Sequence, residues 1–245
     1  MFNDKVALVT GGASGLGEAI SRKLASCGCN VIINYHLSEE KAIKLKDELS
    51  KYNVSLMLIK CDVSNEEEVK DMIHKIIKKF GKIDIVVNNA GISDDSIIDD
   101  KTSETFMNVL KVNLIGPFLV SKYAGKYMLK NHYGKIINIS STNGIDTGYP
   151  EGMDYDASKA GLLSLTHNFA KLYAPYVNVN AICPGWIKTD MGYALGKELM
   201  EREMSKVLLG RFAEREEVAN VVSFLASDEA SYINDTIIRV DGGNK

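Results

Sequence analysis

Two short runs of this sequence contain residues that together could carry out an oxidation or a reduction. Tyr155 and Lys159 are four positions apart, which places a phenol and an ammonium group on one face of a helix. Far upstream, Gly11, Gly15 and Gly17 punctuate a run that could bind a dinucleotide. The two features together predict an enzyme that moves a hydride and a proton between a nicotinamide and an alcohol or ketone.

The tyrosine and the lysine suit the proton step of such a reaction. A ketone that accepts a hydride develops negative charge on its oxygen, so it needs a proton donor and a nearby cation. A free tyrosine has a pKa near ~10 and is a poor base at neutral pH. The ammonium group of Lys159, together with the positive ring of an oxidised nicotinamide, would favour the tyrosinate form of Tyr155.

The glycine run lies where a predicted strand, 6–10, passes into a helix that begins near Glu18. Glycines at such a turn let the backbone approach a pyrophosphate, and the helix N-terminus supplies free N–H groups and a positive dipole end. A plain strand-to-helix turn would need only one glycine. Three glycines spaced as Gly-x3-Gly-x-Gly therefore favour a dinucleotide site.

Short apolar runs of strand length alternate with longer helical patterns along the whole chain. The predicted strands are 6–10, 31–34, 56–59, 83–87, 135–139, 177–182 and 236–240. The predicted helices are 18–27, 39–51, 64–80, 113–129, 155–172 and 214–226. Runs this rich in Val and Ile are typical of parallel strands buried on both faces. The sequence predicts an α/β fold, a single-domain Rossmann-type doubly wound parallel sheet of about seven strands with helices on both faces, over 1–245.

Composition argues against several other classes of protein. The net charge of -3 gives no reason to expect a nucleic-acid partner. No apolar run approaches the ~18 residues that a membrane span needs, and the first residues show no apolar signal region. The four cysteines form no CxxC pair and the four histidines form no ligand pattern, so we expect reduced thiols and no metal. These features predict a soluble cytoplasmic protein with no membrane contact.

The spacing Thr-Gly-x3-Gly-x-Gly is one of seven motifs through which this chain resembles the classical short-chain dehydrogenase/reductase family. The other six follow in the family's order: Asn-Asn-Ala-Gly at 88–91, Asn113, Ser140-Ser141, Tyr155-x3-Lys159, Pro-Gly at 184–185 and Asp-Gly-Gly at 241–243. The resemblance covers essentially all 245 residues. It supports the predicted fold and implies an oxidoreductase.

The resemblance implies four catalytic residues. Tyr155 would donate the proton, and Lys159 would also hold the hydroxyls of the nicotinamide ribose. Ser141 would orient the carbonyl, and Asn113 would bind a water that relays protons from Lys159. The family usually places its serine thirteen residues before the tyrosine, where this chain has Thr142. We favour Ser141, with one extra residue in 148–154, and keep Thr142 as the alternative.

The resemblance also implies which residues would contact the cofactor, at the glycine run and after the second, third, fourth and sixth strands. They are Gly11, Ser14, Gly15, Leu16, Gly17, Tyr35, His36, Ser38, Asp62, Val63, Asn89, Ala90, Gly91, Tyr155, Lys159, Pro184, Gly185, Ile187 and Thr189.

The end of the second strand favours NADP(H) over NAD(H). An acid at this point would bind the adenosine ribose 2'-hydroxyl and repel a 2'-phosphate, but Tyr35 occupies it. The basic residues that often receive the phosphate are missing too, since Ser14 stands where many NADP-dependent relatives carry arginine. Ser14, His36 and Ser38 could form a neutral phosphate pocket.

Within the family the chain is most similar to the 3-oxoacyl-[acyl-carrier-protein] reductases, which implies a 3-oxoacyl thioester substrate and a substrate lid around 191–209. Lys126 and Lys130 could receive an acidic carrier protein. The turn before the sixth strand lacks a basic residue that carrier-binding relatives often have. A reductase of acetoacetyl-CoA, a sugar or polyol dehydrogenase and a steroid dehydrogenase remain alternatives. So does a nucleotide-sensing regulator, although such relatives typically lose the tyrosine or the lysine.

The resemblance finally implies a homotetramer, in which the helices 113–129 and 155–172 pair across a two-fold axis and the last strand forms a second interface. The second of these helices carries Leu162, Leu163, Leu165, Phe169 and Leu172, more apolar surface than one core-facing stripe requires.

Overall fold

Seven parallel strands form one sheet in the computed structural model, which describes residues 2–146, 148–188 and 197–243. The strand order is β3-β2-β1-β4-β5-β6-β7. The strands are β1 Val6–Val9, β2 Asn30–Tyr35, β3 Leu56–Lys60, β4 Ile85–Asn88, β5 Gly134–Ile139, β6 Val177–Pro184 and β7 Ile237–Val240. Every neighbouring pair is parallel. The predicted fold class is confirmed, and each strand overlaps its predicted run.

Helices cover both faces of this sheet. They are α1 Gly15–Ser26, α2 Glu39–Leu49, α3 Glu66–Phe80, α4 Ser103–Leu110, α5 Gly116–Lys130, α6 Met153–Tyr173, α7 Lys197–Lys206 and α8 Arg215–Ala226. A π-helical turn, Lys111–Ile115, joins α4 to α5. Two of these features differ from the expectation: the sequence analysis missed α4, and the helix predicted from Asn113 begins inside the π-helical turn.

Strand β1 shows why its residues are almost all apolar. Ala7 and Val9 face the core that contains α1, α2 and α8. Val6 and Leu8 face the opposite core, which contains α3, α5 and α6. Successive side chains of a strand point to opposite faces, so a strand between two helical layers must be apolar throughout.

Local caps fix where the helices start and stop. The side chain of Asn65 accepts hydrogen bonds from the backbone N–H groups of Glu67 and Glu68 at the start of α3. Gly81 ends that helix in the left-handed region, with φ of 74°. The cap is therefore Asn65, and α3 begins at Glu66, two residues later than the predicted start at 64. Within the described ranges, no helix is both long and apolar enough to cross a membrane.

The sheet order creates a crevice at the carboxyl ends of its central strands. The chain runs from β1 outward to β2 and β3, then returns to β4 on the other side of β1. The connections after β1 and β4 therefore diverge to opposite faces. Ligands of open parallel sheets bind at such a switch point, and the order of the elements brings the glycine turn after β1 and the segment after β4 to it.

Candidate active site

The turn between β1 and α1 has a shape that requires glycine. Gly11 and Gly15 have φ values of +58° and +54°, in the left-handed region. A Cβ atom on Gly17 would lie 2.1 Å from the carbonyl oxygen of Gly11 and 2.6 Å from Nδ2 of Asn89. Alanine at this position would therefore force the turn apart. Gly12, which the sequence analysis did not single out, is also tight, since its Cβ would lie 2.8 Å from the carbonyl oxygen of Val9.

The first turn of α1 is open to an anion. Ser14 precedes the helix with an extended backbone, and its side chain makes no capping hydrogen bond. The first backbone N–H groups, from Gly15 and Leu16 onward, thus lack a side-chain cap. Unsatisfied N–H groups and the positive end of the helix dipole favour a phosphate group at this place.

The segment after β4 is bonded directly to the glycine turn. Nδ2 of Asn89 donates to the carbonyl oxygens of Thr10 (3.0 Å) and Gly11 (3.2 Å). The hydroxyl of Thr10 accepts from the N–H groups of Asn89 (2.9 Å) and Ala90 (3.0 Å). The ends of β1 and β4 are therefore held in one arrangement, in which both can approach the same ligand.

Asn34 supports the glycine turn from the side of β2, and sequence reasoning did not find this role. Its Oδ1 accepts from the N–H of Gly11 at 3.2 Å, and its Nδ2 donates to the carbonyl oxygen of Cys61 at 3.0 Å. Asn34 and Cys61 are buried, and Gly11 is half-buried. A polar residue at the end of an otherwise apolar strand was the signal available in the sequence.

Tyr155 lies in the first turn of α6, half-buried and beside Ser141. Burial is the main influence on its hydroxyl and raises the pKa of Tyr155 to about 12, while the hydrogen bond with the hydroxyl of Ser141 acts in the opposite direction. The predicted lowering of the Tyr155 pKa, towards the tyrosinate form, is therefore wrong, because the residues of this chain raise that pKa. Burial also lowers the pKa of Lys159, to about 8, so this lysine still carries its positive charge for most of the time at neutral pH.

Lys159 is fixed by the strand and loop beneath it. Its Nζ donates to the carbonyl oxygen of Ile139 at 2.8 Å and lies 5.3 Å from the centroid of the Tyr155 ring. The hydroxyl of Ser140 donates to the backbone carbonyl of Lys159 at 2.9 Å. The lysine and the tyrosine therefore share one face of α6, as their spacing predicts.

The structure distinguishes the two hydroxyl candidates by position. Ser141 lies two residues after the end of β5, and its hydroxyl reaches Tyr155. Thr142 begins the following 3-10 turn, Thr142–Gly144, where its side chain is buried. The stretch 148–154, in which we expect the extra residue, contains another 3-10 turn, Pro150–Gly152. The hydroxyl brought to Tyr155 is that of Ser141.

Asn113 is the central residue of the π-helical turn and is fully buried. Its Nδ2 donates to the carbonyl oxygen of Ile92 (2.8 Å) and to the hydroxyl of Ser158 (3.1 Å), and its Oδ1 accepts from the N–H of Ile92 (2.9 Å). A Cβ on Gly91 would lie 3.3 Å from Asn113 Oδ1 and 3.6 Å from Lys159 Nζ. The three residues converge, and π-helical turns often mark functional sites.

The carboxylate of Glu39 lies where the adenosine of the cofactor is expected to bind, beside Tyr35. The ring of Tyr35 is buried, and its hydroxyl donates to Oε1 of Glu39 at 3.2 Å. Burial, followed by this hydrogen bond, raises the pKa of Tyr35. His36 is exposed and Ser38 is half-buried beside it. Glu39, at the first position of α2, therefore adds a carboxylate that the sequence analysis did not consider.

Asp62 and Val63 follow β3 at the same edge of the sheet. Oδ1 of Asp62 accepts from the N–H (2.9 Å) and the hydroxyl (2.8 Å) of Ser64. Val63 is buried, and its Cγ2 would lie 2.9 Å from a Cβ on Gly116. Asp62 thus shapes the loop after β3, and Val63 packs that loop against the start of α5.

The segment after β6 is attached to the last strand. Pro184 pairs with Val240, and the N–H of Gly185 donates to the carbonyl oxygen of Val240 at 3.1 Å. Ile187 forms a bridge with Ala213. Thr189 lies outside the described residues, as do residues 191–196 of the predicted lid. The rest of that lid contains α7, and its far end is joined to the C-terminal segment at Gly242 and Gly243.

Trp186 is a further residue near this site that the sequence analysis left unassigned. Its ring stacks on that of Phe212, with centroids 5.7 Å apart, and remains 40% exposed. The stack connects the two ends of the segment that contains the predicted lid. Within the described ranges, no group of three or more His, Cys, Asp and Glu residues is arranged to hold a metal ion.

Comparison with known proteins agrees with this architecture. A family model described as "Enoyl-(Acyl carrier protein) reductase" matches residues 11–245. The 3-oxoacyl-[acyl-carrier-protein] reductase of Staphylococcus aureus is 40% identical over 240 residues, covering 98% of this chain and 97% of its own. The enzyme of that name from Aquifex aeolicus is 43% identical over 241 residues, covering 98% of this chain and 96% of its own.

Solved structures extend the agreement to three dimensions. The crystal structure of levodione reductase matches with a TM-score of 0.94 and 34% identity, over 99% of this chain and 98% of that one. A crystal structure described as a short-chain alcohol dehydrogenase from Sinorhizobium meliloti matches with a TM-score of 0.93 and 30% identity. The chain therefore belongs to the short-chain dehydrogenase/reductase family of nicotinamide-dependent oxidoreductases.

Proposed function

We propose that this oxidoreductase uses NADPH to reduce the ketone of a 3-oxoacyl thioester carried on acyl carrier protein. The single observation that carries the proposal is the contact between the hydroxyls of Ser141 and Tyr155, beside Lys159, at the switch point of the sheet. The full-length similarity to reductases of 3-oxoacyl-[acyl-carrier-protein] supports the substrate class.

The residues after β1 and β4 fit a nicotinamide dinucleotide. The close backbone approach at Gly17, the uncapped N–H groups of α1 and the bonded segment 88–91 would together hold its pyrophosphate. When bound, the nicotinamide supplies the hydride. Gly91 leaves open the space next to Asn113 and Lys159 that a side chain would otherwise fill.

The raised pKa of Tyr155 suits a proton donor in the direction of reduction. At neutral pH, a phenol with a pKa of about 12 carries its proton, which it can transfer as negative charge grows on the ketone oxygen. The hydroxyl of Ser141 orients the same oxygen and stabilises its charge. The protonated form of Lys159 then stabilises the tyrosinate that the transfer leaves behind.

Cofactor preference provides the first prediction. We expect wild-type kcat/KM to be higher with NADPH than with NADH, because Tyr35 replaces the acid that would repel a 2'-phosphate. Tyr35→Asp should shift the ratio of the two values towards NADH by tenfold or more, a change of about 1.4 kcal/mol. Steady-state assays at 340 nm with both cofactors measure the ratio.

Tyr35→Asn is the matched control, because it has the size of aspartate without the charge. It releases Glu39 from its hydrogen bond equally. An equal shift in both variants would assign the preference to Glu39 rather than to a missing acid at position 35. A wild-type preference for NADH would contradict the NADP(H) proposal.

Recognition of the carrier provides the second prediction. Lys126 and Lys130 are exposed on α5 and offer positive charge to an acidic carrier protein. The double change Lys126→Glu and Lys130→Glu should raise KM for a 3-oxoacyl carrier substrate about tenfold and leave kinetics with a small soluble 3-oxoacyl thioester unchanged. Kinetics on both substrates measure the difference.

The control for this charge reversal lies on the opposite layer of the protein. Lys46 and Lys51, at the end of α2 and just beyond it, are also exposed. Reversing both of these charges changes net charge by the same amount and should leave KM for the carrier substrate as in the wild type. Equal effects of the two double variants would contradict a docking site on α5.

We also propose a homotetramer, but different apolar residues support it from those that the sequence suggested. Leu162, Leu163 and Phe169 are buried within the chain's own core, so they are not surplus apolar surface. Leu172 of α6 is 66% exposed, and Ile115 just before α5 is also exposed. Light scattering at micromolar protein concentration should give four times the chain mass, and a monomer mass with full activity would contradict the assembly.

We place the enzyme in the cytoplasm. The cysteines Cys27, Cys29, Cys61 and Cys183 are all unpaired thiols, which suits a reducing compartment. Fractionation of cells that produce the protein from its own gene tests this, and recovery with membranes or in the external medium would contradict it.

A further inference from the structure

A buried ion pair lies next to the tyrosine that we propose as proton donor. Nζ of Lys101 lies 3.0 Å from Oδ2 of Asp154, and the two side chains are only 2% and 0% exposed. The other carboxylate oxygen of Asp154 accepts the backbone N–H of Tyr155 at 2.9 Å. The sequence analysis assigned neither charged residue a role.

The ion pair joins the segment after β4, residues 92–101, to the catalytic helix. Besides its contact with Asp154, Nζ of Lys101 donates to the carbonyl oxygen of Asp94 at 2.7 Å and lies 3.6 Å from the Asp94 carboxylate. Burial lowers the pKa of Lys101, but its hydrogen bond and charge interaction with Asp154 outweigh this and raise the pKa, so the ammonium stays charged. Asn113 holds the other end of the segment at Ile92.

The residue on the other side of Tyr155 plays a matching part. Oδ1 of Asp156 accepts from Nδ2 of Asn143 at 2.7 Å, and its Oδ2 accepts from the N–H of Tyr149 at 2.8 Å. These two partners belong to the connection between β5 and α6. Each of the two loops that flank the site is therefore bound to an acidic residue, Asp154 or Asp156, that neighbours Tyr155 in the sequence.

Stability alone is a weak reason for such a pair. Two charges lose their hydration on burial, and a neutral pair of similar volume is often equally stable or more stable. An ion pair differs from an apolar contact in having one narrow range of favourable distances and directions. The Lys101–Asp154 contact consequently specifies one position of the segment against the first turn of α6.

We propose that Lys101 and Asp154 are positioning residues for proton transfer: their ion pair holds segment 92–101 against α6 and sets where the Tyr155 hydroxyl meets the substrate. This inference rests on the proposed role of Tyr155. It places neither charged group in contact with the substrate. A displacement of a reacting group by about 1 Å can lower a rate by on the order of 10².

The test compares Lys101→Met, Asp154→Asn and the double variant. Each single variant leaves one buried charge or polar group without its partner, so its thermal unfolding midpoint should fall. The double variant leaves no unpaired charge, and its midpoint should rise above those of both single variants towards that of the wild type. Its single-turnover rate of NADPH oxidation with a soluble 3-oxoacyl thioester should nevertheless stay about tenfold below wild type, with KM for NADPH unchanged.

The decisive comparison is between the thermal unfolding midpoint and the single-turnover rate of the double variant. A double variant with both wild-type stability and a wild-type rate would show that the pair has only a structural role, and would overturn the inference. The exposed pair of Lys75 and Asp71 on α3, 2.6 Å apart, is the matched control. Lys75→Met with Asp71→Asn should change neither the midpoint nor the rate.

Tyr155→Phe, assayed beside these variants, separates failure of the inference from failure of the proposed function. A slow Tyr155→Phe enzyme together with a fast double variant overturns the positioning role and leaves the proton donor in place. A fast Tyr155→Phe enzyme overturns both.

Discussion

Tyr155→Phe should lower the turnover of ketone reduction by ~10²–10⁴, the usual contribution of a general acid. The substitution removes only the hydroxyl and keeps the half-buried ring, so the fold and the affinity for NADPH should remain close to wild type. This hydroxyl is protonated at neutral pH, and burial raises the pKa of Tyr155 further above neutrality, to about 12. Steady-state kinetics at 340 nm, with NADPH binding followed by fluorescence, measure both quantities.

Ser141 and Thr142 form the internal comparison for this result. The hydroxyl of Ser141 reaches Tyr155, whereas Thr142 lies in the following 3-10 turn. Ser141→Ala should therefore lower turnover by ~10²–10³, the effect of removing one stabilising donor, and Thr142→Ala should lower it less. Retention of more than a tenth of wild-type turnover by Tyr155→Phe would refute its role as proton donor, and the reverse order of the two alanine variants would assign the carbonyl contact to Thr142.

Gly17→Ala should reduce the affinity for NADPH by one to two decades. Its Cβ would lie 2.1 Å from a backbone oxygen of Gly11, which cannot move away as a flexible side chain could. Overpacking of this kind costs ~1–3 kcal/mol, equivalent to about ten- to a hundredfold in a binding constant when the strain falls on the bound arrangement. Fluorescence titration with NADPH measures the change.

Gly148→Ala is the matched control for that substitution. A Cβ on Gly148 would meet no heavy atom within 4 Å, and its φ is not positive. This variant should bind NADPH with wild-type affinity. If Gly17→Ala also bound NADPH normally, the turn between β1 and α1 would not be the pyrophosphate site.

The central strands of the sheet were predictable because each of them lies between two helical layers. Ala7 and Val9 face one core and Leu8 faces the other, so the whole run is apolar and easily recognised. Helix α4 was not predictable in the same way, because only one of its residues, Val109, is buried. A short helix with so little core contact has no strong apolar period.

The candidate site was predictable where its residues are close in sequence. Tyr155 and Lys159 share a helix face by spacing alone, and the glycine turn follows directly from its motif. The influence of burial on the Tyr155 pKa was not predictable, since spacing does not reveal desolvation. The contact between Lys101 and Asp154 spans 53 residues and depends on how a loop folds over α6. Neither residue belongs to a recognisable pattern.

The most direct test of the central claim is to incubate the purified protein with NADPH and a 3-oxoacyl thioester on acyl carrier protein, and to identify the product by mass spectrometry. We expect a 3-hydroxyacyl thioester, formed in a one-to-one ratio with the NADPH consumed and strongly reduced with Tyr155→Phe. Tight NADPH binding without any reduced product, on the carrier or on a soluble 3-oxoacyl thioester, would contradict the proposed function.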